Sequence, residues 1–167
     1  MRNFFSHIKI TTMKKLFTTD TKSSANDVAF LTGRIAIAAL MLVHGLPKMQ
    51  MLFSGDLIQF PPVFGMSAEL SLALTVFAEV FCSILILVGF GTRLATIPLI
   101  TAMLVAVLSI HATDIFAKKE LAILYLVVYV ILFFTGSGKY SVDQLLQPKL
   151  QAVYSSTRTP ALSVKRK

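Results

Sequence analysis

Charge is scarce in this chain. Asp, Glu, Lys and Arg make up 14% of its 167 residues, against 55% hydrophobic, and the mean hydropathy is +0.74. A soluble domain carries about 25% charged residues and gives its helices one polar face. Here the long segments are apolar all round, which argues for an integral membrane protein and against a soluble globule. Acidic residues are scarcer still, 8 against 16 Lys and Arg, for a net charge of +8. That excess invites a nucleic-acid reading, but the basic residues crowd the two ends beside apolar spans. Membrane orientation produces this pattern by itself, so no nucleic-acid partner is expected. The terminal Lys165, Arg166 and Lys167 suit anionic lipid headgroups instead.

Cysteine occurs once, as Cys82, which excludes an intramolecular disulfide; inside an apolar run it reads as a packing residue. Tryptophan is absent, leaving Tyr and Phe to serve any interfacial belt. The chain has no CxxC, GxGxxG, P-loop or GxSxG, so dinucleotide and nucleophile chemistry have no visible support. No haem or flavin motif is evident, and no HxxxH or ExxH spacing points to a metal.

What is present is four apolar stretches, at about 28–46, 68–90, 94–112 and 121–135. They predict an all-α membrane protein, a four-transmembrane-helix antiparallel bundle. Asn26 or Asp27 is placed to cap the first helix, and Gly45 with Pro47 to end it. Segment 48–67, broken by Pro61 and Pro62, is too mixed to cross a bilayer; it reads as an interfacial or re-entrant loop, able either to lid a pocket or to lie on headgroups. The GFGTR link at 89–93 is short enough to make its two helices antiparallel neighbours, and Pro98 is tolerable in the early turns of the third. GSGKYSVDQLL, 136–146, stops the fourth helix at its glycines and offers Ser141 or Asp143 as the start of a short amphipathic helix.

Three regions follow: a basic N-terminal segment 1–27, a membrane domain 28–146 and a basic, disordered tail 147–167. Met13 before Lys14 and Lys15 is an alternative translation start to Met1, and the first span is too long for a cleaved signal peptide. With four spans the termini share a side. That side collects Arg2, Lys9, Lys14, Lys15, Lys22, Arg93 and the six basic residues from Lys139 onward, whereas the other holds Lys48, Lys118 and Lys119. Both termini are therefore expected to be cytoplasmic.

Arg34 and Glu79 lie within spans, where an ionisable group costs about 2.5 to 3.5 kcal/mol on insertion scales and usually lines a cavity or pairs with another helix. By helical rise Arg34 sits roughly 9 Å into the first span and Glu79 roughly 16 Å along the second. Their opposite signs predict an ion pair, either functional or holding the helices together. A second group gathers at the opposite membrane face: His44, Glu69, His111 and Glu120, one from each helix. A metal site, a proton relay and hydrogen bonding to a quinone headgroup all fit such a group, as does plain interfacial polarity. Met41, Met49, Met51 and Phe53 read as packing or lipid contact rather than a cofactor box.

The Arg early in the first span, HGLPK at its end, Glu79 followed by LVGFGTR, His111 late in the third span and GSGKYSVDQLL after the fourth together resemble the DoxX family of small bacterial inner-membrane proteins. The resemblance covers about 28–146. The family's usual glycine-proline-glycine after the last span is replaced by Gly136-Ser137-Gly138. It implies redox work at the membrane: a DoxD-like branch resembles the quinone-reducing subunit of a thiosulfate-oxidising enzyme, and other members partner oxidative-stress proteins. Arg34, His44, Lys48, Glu79 and His111 match recurring polar positions of the family.

The resulting expectation is a subunit of a quinone-linked redox system in the bacterial inner membrane, with a redox partner subunit or a second copy of the chain beside it. Arg34, His44, Glu79 and His111 are the candidate catalytic residues, the histidines exchanging a proton and Arg34 with Glu79 stabilising charge. His44, Lys48, Glu69 and Glu120 are the candidate quinone contacts. The alternative is a non-catalytic permease for protons or a small molecule, or an assembly subunit of a membrane complex.

Overall fold

The computed structural model describes residues 23–146, so the readings made for the basic N-terminus as far as residue 22 and for the tail 147–167 fall outside the described residues. Within them the fold is all-helical, with no strand. Four long helices follow one another: α1 (Ser23–Phe53), α2 (Ala68–Val88), α3 (Thr92–Ile110) and α4 (Phe116–Thr135). Among the described residues α1, α2 and α3 are long and apolar enough to cross a membrane. α4 is apolar from Leu121 onward, and its first turns carry Lys118, Lys119 and Glu120.

α1 overruns both expected limits. Asn26 and Asp27 lie inside it rather than capping it, and the helix passes through Gly45 and Pro47 to Phe53, 31 residues in all. Proline removes one donor and crowds the preceding turn. Packing overrides it here: Leu42, Met49 and Leu52, on either side of Pro47, close over Leu72, Val76 and Val80 of α2, and Ile58 and Phe60 of the following loop seal the same cluster. Val63 N–H donating to Ser71 Oγ at 3.1 Å pins that loop to α2. The loop therefore covers the α1–α2 seam.

α2 starts at Ser67, whose hydroxyl accepts from the Leu70 N–H at 3.3 Å and so satisfies one of the orphan donors of the first turn. It ends at Gly89, left-handed at φ 75°, with the Phe90 N–H reaching back to the Leu85 carbonyl at 2.9 Å. Glycine is required there twice over. A Cβ would stand 2.7 Å from Ser141 Cβ and 2.8 Å from Arg34 Cζ, besides the positive φ. The expected span limits at 68 and 94 fall within two residues of the observed starts of α2 and α3.

Two π-helical turns interrupt the ladder, Phe77–Cys82 in α2 and Ala106–Ile110 at the end of α3. Such turns are rare and tend to mark functional positions. The first contains Glu79 and the second delivers His111. A core drawn from all four helices lies between the polar ends, with Met41, Ile86, Leu99 and Tyr129 essentially inaccessible. The outer faces are apolar and open, as at Val43 and Leu108, where a bilayer would cover them.

Candidate functional site

The ionisable residues of the spans separate into two groups at opposite ends of the helices, joined differently from the way their signs suggest. The predicted Arg34–Glu79 pair does not form. Arg34 instead donates from Nη1 to the Ser137 carbonyl and from Nη2 to the Tyr140 carbonyl at 2.8 Å, and Glu79 pairs with Lys48. The physical reason is reach and supply. The glycine-rich segment after α4 turns its own unpaired carbonyls onto Arg34, while the unbroken α1 brings an ammonium to Glu79.

The Arg34 end is a knot of chain crossings. Asp143 ties the α2–α3 turn to the segment after α4: its N–H donates to the Gly89 carbonyl at 3.0 Å and its Oδ1 accepts from the Gly91 N–H at 2.9 Å. Ser141 Oγ donates to the Gly138 carbonyl at 2.7 Å, and Arg93 Nη2 to the Phe134 carbonyl at 3.2 Å. Helical residues 142–146 follow, as the GSGKYSVDQLL reading expects. Arg34 is 3% exposed. Its guanidinium ties α1 to the segment after α4 and lies close against Gly89 of the α2–α3 turn.

The other end is built on a close approach. A Cβ on Gly45 would lie 2.8 Å from Val80 Cγ2 and 3.0 Å from Glu79 Cβ, so only glycine lets α1 lie this near α2. Lys48, one turn further along the same face of α1, then reaches both carboxylate oxygens of Glu79, at 2.5 and 2.6 Å. Glu79 is 4% exposed. Short, doubly engaged contacts of this kind are the strong charge-assisted class.

A cleft of about 190 Å³ opens beside this pair. His44, Lys48, Glu79, His111, Lys118 and Tyr125 supply its polar wall, and Met41, Met103 and Leu121 are among its apolar lining. Tyr125 meets the His44 ring edge-on, with centroids 5.8 Å apart and planes at 88°. The structure thus brings together three of the four candidate catalytic residues, His44, Glu79 and His111, with Lys48, and leaves Arg34 at the far end. Glu69 and Glu120 are exposed and lie outside the cleft lining, Glu120 on the first turns of an α4 that starts five residues earlier than expected.

Two participants were not visible as such in the sequence. Tyr125 looked like one more aromatic in a span. Asp114 looked like a loop residue, yet its Oδ2 lies 2.8 Å from His111 Nδ1 and its Oδ1 accepts from Lys118 Nζ at 3.3 Å. A carboxylate only accepts, so the imidazole donates from Nδ1. The hydrogen bonds from His111 and Lys118 hold the Asp114 carboxyl below its ordinary value. The i,i+3 spacing of His111 and Asp114 was the available signal. Among the described residues no three His, Cys, Asp or Glu side chains stand together as a metal site would require.

Long apolar helices with ionisable side chains turned inward define a multi-pass integral membrane protein. The DoxX family profile matches residues 29–112, half of the chain, and the chain belongs to the DoxX family. The match covers α1 to α3 with the turn that carries His111, and stops short of Asp114 and α4. No curated protein and no solved structure matches the chain.

Proposed function

We propose that the cleft at Glu79 is a quinone-headgroup site and that the protein is a subunit of a quinone-linked redox system of the bacterial inner membrane. In this reading the four helices form a four-span antiparallel bundle with both termini cytoplasmic, and the cleft opens toward the opposite face. The observation that carries it is the donor set. Lys48, His44 and Tyr125 can donate into a small, partly apolar space that His111 also lines, and a quinone presents two carbonyl acceptors on an apolar ring.

Size agrees with that assignment. Pockets that enclose a drug-sized ligand span about 300 to 1,000 Å³; the smaller cleft here suits one ring, with a prenyl tail left in lipid. A bound quinone supplies the two-electron, two-proton couple. The residues of the chain do the rest: Lys48 holds charge on Glu79, Tyr125 orients His44, and the histidines exchange protons at the ring oxygens. The electrons pass to or from a partner subunit, and a second copy of the chain is a further candidate neighbour.

Difference spectroscopy of the purified protein with a reduced short-chain quinone tests this directly, with a soluble one-electron acceptor of the ferricyanide class standing in for the partner subunit and the uncatalysed rate subtracted. Glu79→Gln and His44→Ala should each reduce oxidation of the quinol strongly, and unchanged turnover in both would remove the reading. A permease would need a second opening at the Arg34 end, where the 137–143 segment is packed instead. Flux of protons or solute into liposomes without any redox partner would favour that alternative, and stoichiometric capture of a soluble protein without quinone binding would favour an assembly subunit.

A further inference from the structure

We propose that Asp114 is the positioning residue of the cleft: it fixes His111 as the Nδ1–H tautomer, leaving the Nε2 lone pair to accept a proton from a hydroxyl of the bound ligand. The functional half of this inference rests on the quinone reading above; the tautomer half does not.

The geometry is local and built. α3 ends in a π-helical turn, and the His111 N–H reaches back to the Ala106 carbonyl at 2.9 Å. The Asp114 N–H then donates to the His111 carbonyl at 3.1 Å, folding the carboxylate back onto the ring it follows by three residues. Lys118, in the first turn of α4, occupies Oδ1 and leaves Oδ2 for Nδ1. The neighbouring Lys119 is held apart by donating to the Ala112 carbonyl at 2.7 Å. Across the cleft the other titratable groups are His44 and Lys48 on α1, Glu79 on α2 and Tyr125 on α4. Lys48 already engages both oxygens of Glu79, so Asp114 is the carboxylate that serves His111.

A neutral imidazole with one nitrogen committed as a donor presents the other as a base, and a carboxylate at the committed nitrogen stabilises the imidazolium once it forms. The proton balance is simple. A hydroxyl of a hydroquinone-class ligand gives its proton to Nε2, and the imidazolium, whose side chain is 36% exposed, releases a proton to water at the cleft mouth. Asp114 stays ionised throughout. His44 has an aromatic edge contact with Tyr125 where His111 has a carboxylate, so the two histidines of the cleft are not equivalent.

The experiment is ¹⁵N spectroscopy of the full chain in detergent micelles with labelled histidine, at a pH where the rings are neutral, with His111 assigned from His111→Gln. His111 should be the Nδ1–H tautomer in the native protein and shift to Nε2–H in Asp114→Ala, with the His44 signal unchanged as the control for folding. Asp114→Asn, which keeps a carbonyl acceptor, should retain the native tautomer. With the same one-electron acceptor supplied in place of the partner subunit, quinol oxidation should fall by about a hundredfold in Asp114→Ala, with KM within about twofold, as loss of proton acceptance without loss of binding implies. A native His111 in the Nε2–H form overturns the proposal whether or not the Asp114 variants fold, and so does full turnover in an Asp114→Ala protein whose tautomer has switched. Absence of quinol oxidation by the native protein with the electron acceptor supplied removes the reading of the cleft as a quinone site and with it the proton-accepting role; the tautomer result then decides the dyad alone.

Discussion

Arg34 and Glu79 are both charged, both nearly inaccessible and both set in apolar helices, yet they are neutralised by different means. Arg34 is met by the Ser137 and Tyr140 backbone carbonyls, in a knot that Asp143 closes separately onto the α2–α3 turn. Glu79 is met by one flexible side chain, Lys48, which is 30% exposed and faces a cleft. A charge tied to carbonyls is fixed as firmly as the backbone, whereas a charge tied to a lysine can be released without unfolding anything. The first arrangement suits architecture and the second suits binding.

The sharpest way to break that contrast is Arg34→Leu. It orphans the Ser137 and Tyr140 carbonyls, so stability should fall by about 2 to 6 kcal/mol, at about 1 to 3 kcal/mol for each unsatisfied acceptor, read as a drop in Tm in detergent or as lost expression. Lys48→Met leaves Glu79 buried and unpaired and is expected to cost a similar amount. The difference lies in rescue: adding Glu79→Gln to Lys48→Met should recover most of the loss, because no charge then remains. A double-mutant cycle measures this coupling, and simple additivity would mean that the pair is not coupled.

Gly45→Ala comes next. Its Cβ would meet Val80 and the Glu79 backbone at about 3 Å, forcing α1 from α2 at about 1 to 3 kcal/mol. A thermal melt reads the stability, and loss of the Lys48–Glu79 coupling should accompany it. Acid provides a smaller test. The Asp114 carboxyl is depressed by its partners, so its contribution is complete above the unfolded carboxylate value of about 3.9 and is lost as pH falls below that value through the folded one. Asp114→Asn should therefore differ from the native protein in Tm at neutral pH and converge with it at low pH. Tyr129→Phe should change least. The Tyr129 hydroxyl is buried without a hydrogen-bond partner among the described residues, so removing it should be neutral or stabilise by about 1 kcal/mol.

Hydropathy made the helices legible, and the tight GFGTR turn placed α2 against α3, because both signals are local. The partners of the charges were not local. Pro47 reads as a stop, and stopping α1 there puts Lys48 in a loop, so Glu79 was assigned the remaining cation in the spans, Arg34. Only the packing of Met49 and Leu52 onto α2, which carries the helix past the proline, reveals Lys48 as the nearer partner. Gly45 carries the same ambiguity: a residue suited to ending a helix is equally suited to a close crossing, and nothing in α1 alone says which. Glu69 and Glu120 were grouped with the histidines by depth, but depth along a helix says nothing of which way a side chain faces.

The measurement that bears most directly on the contrast is equilibrium binding of a short-chain benzoquinone to purified protein, taken alongside Tm, for the Lys48→Met, Glu79→Gln double variant and for Arg34→Lys. The account predicts that the double variant keeps its Tm within a few degrees and loses at least about tenfold in affinity, about 1.4 kcal/mol, while Arg34→Lys loses Tm and keeps its affinity when assayed where it is folded. Native affinity in the double variant, with lost affinity in a well-folded Arg34→Lys, would contradict it.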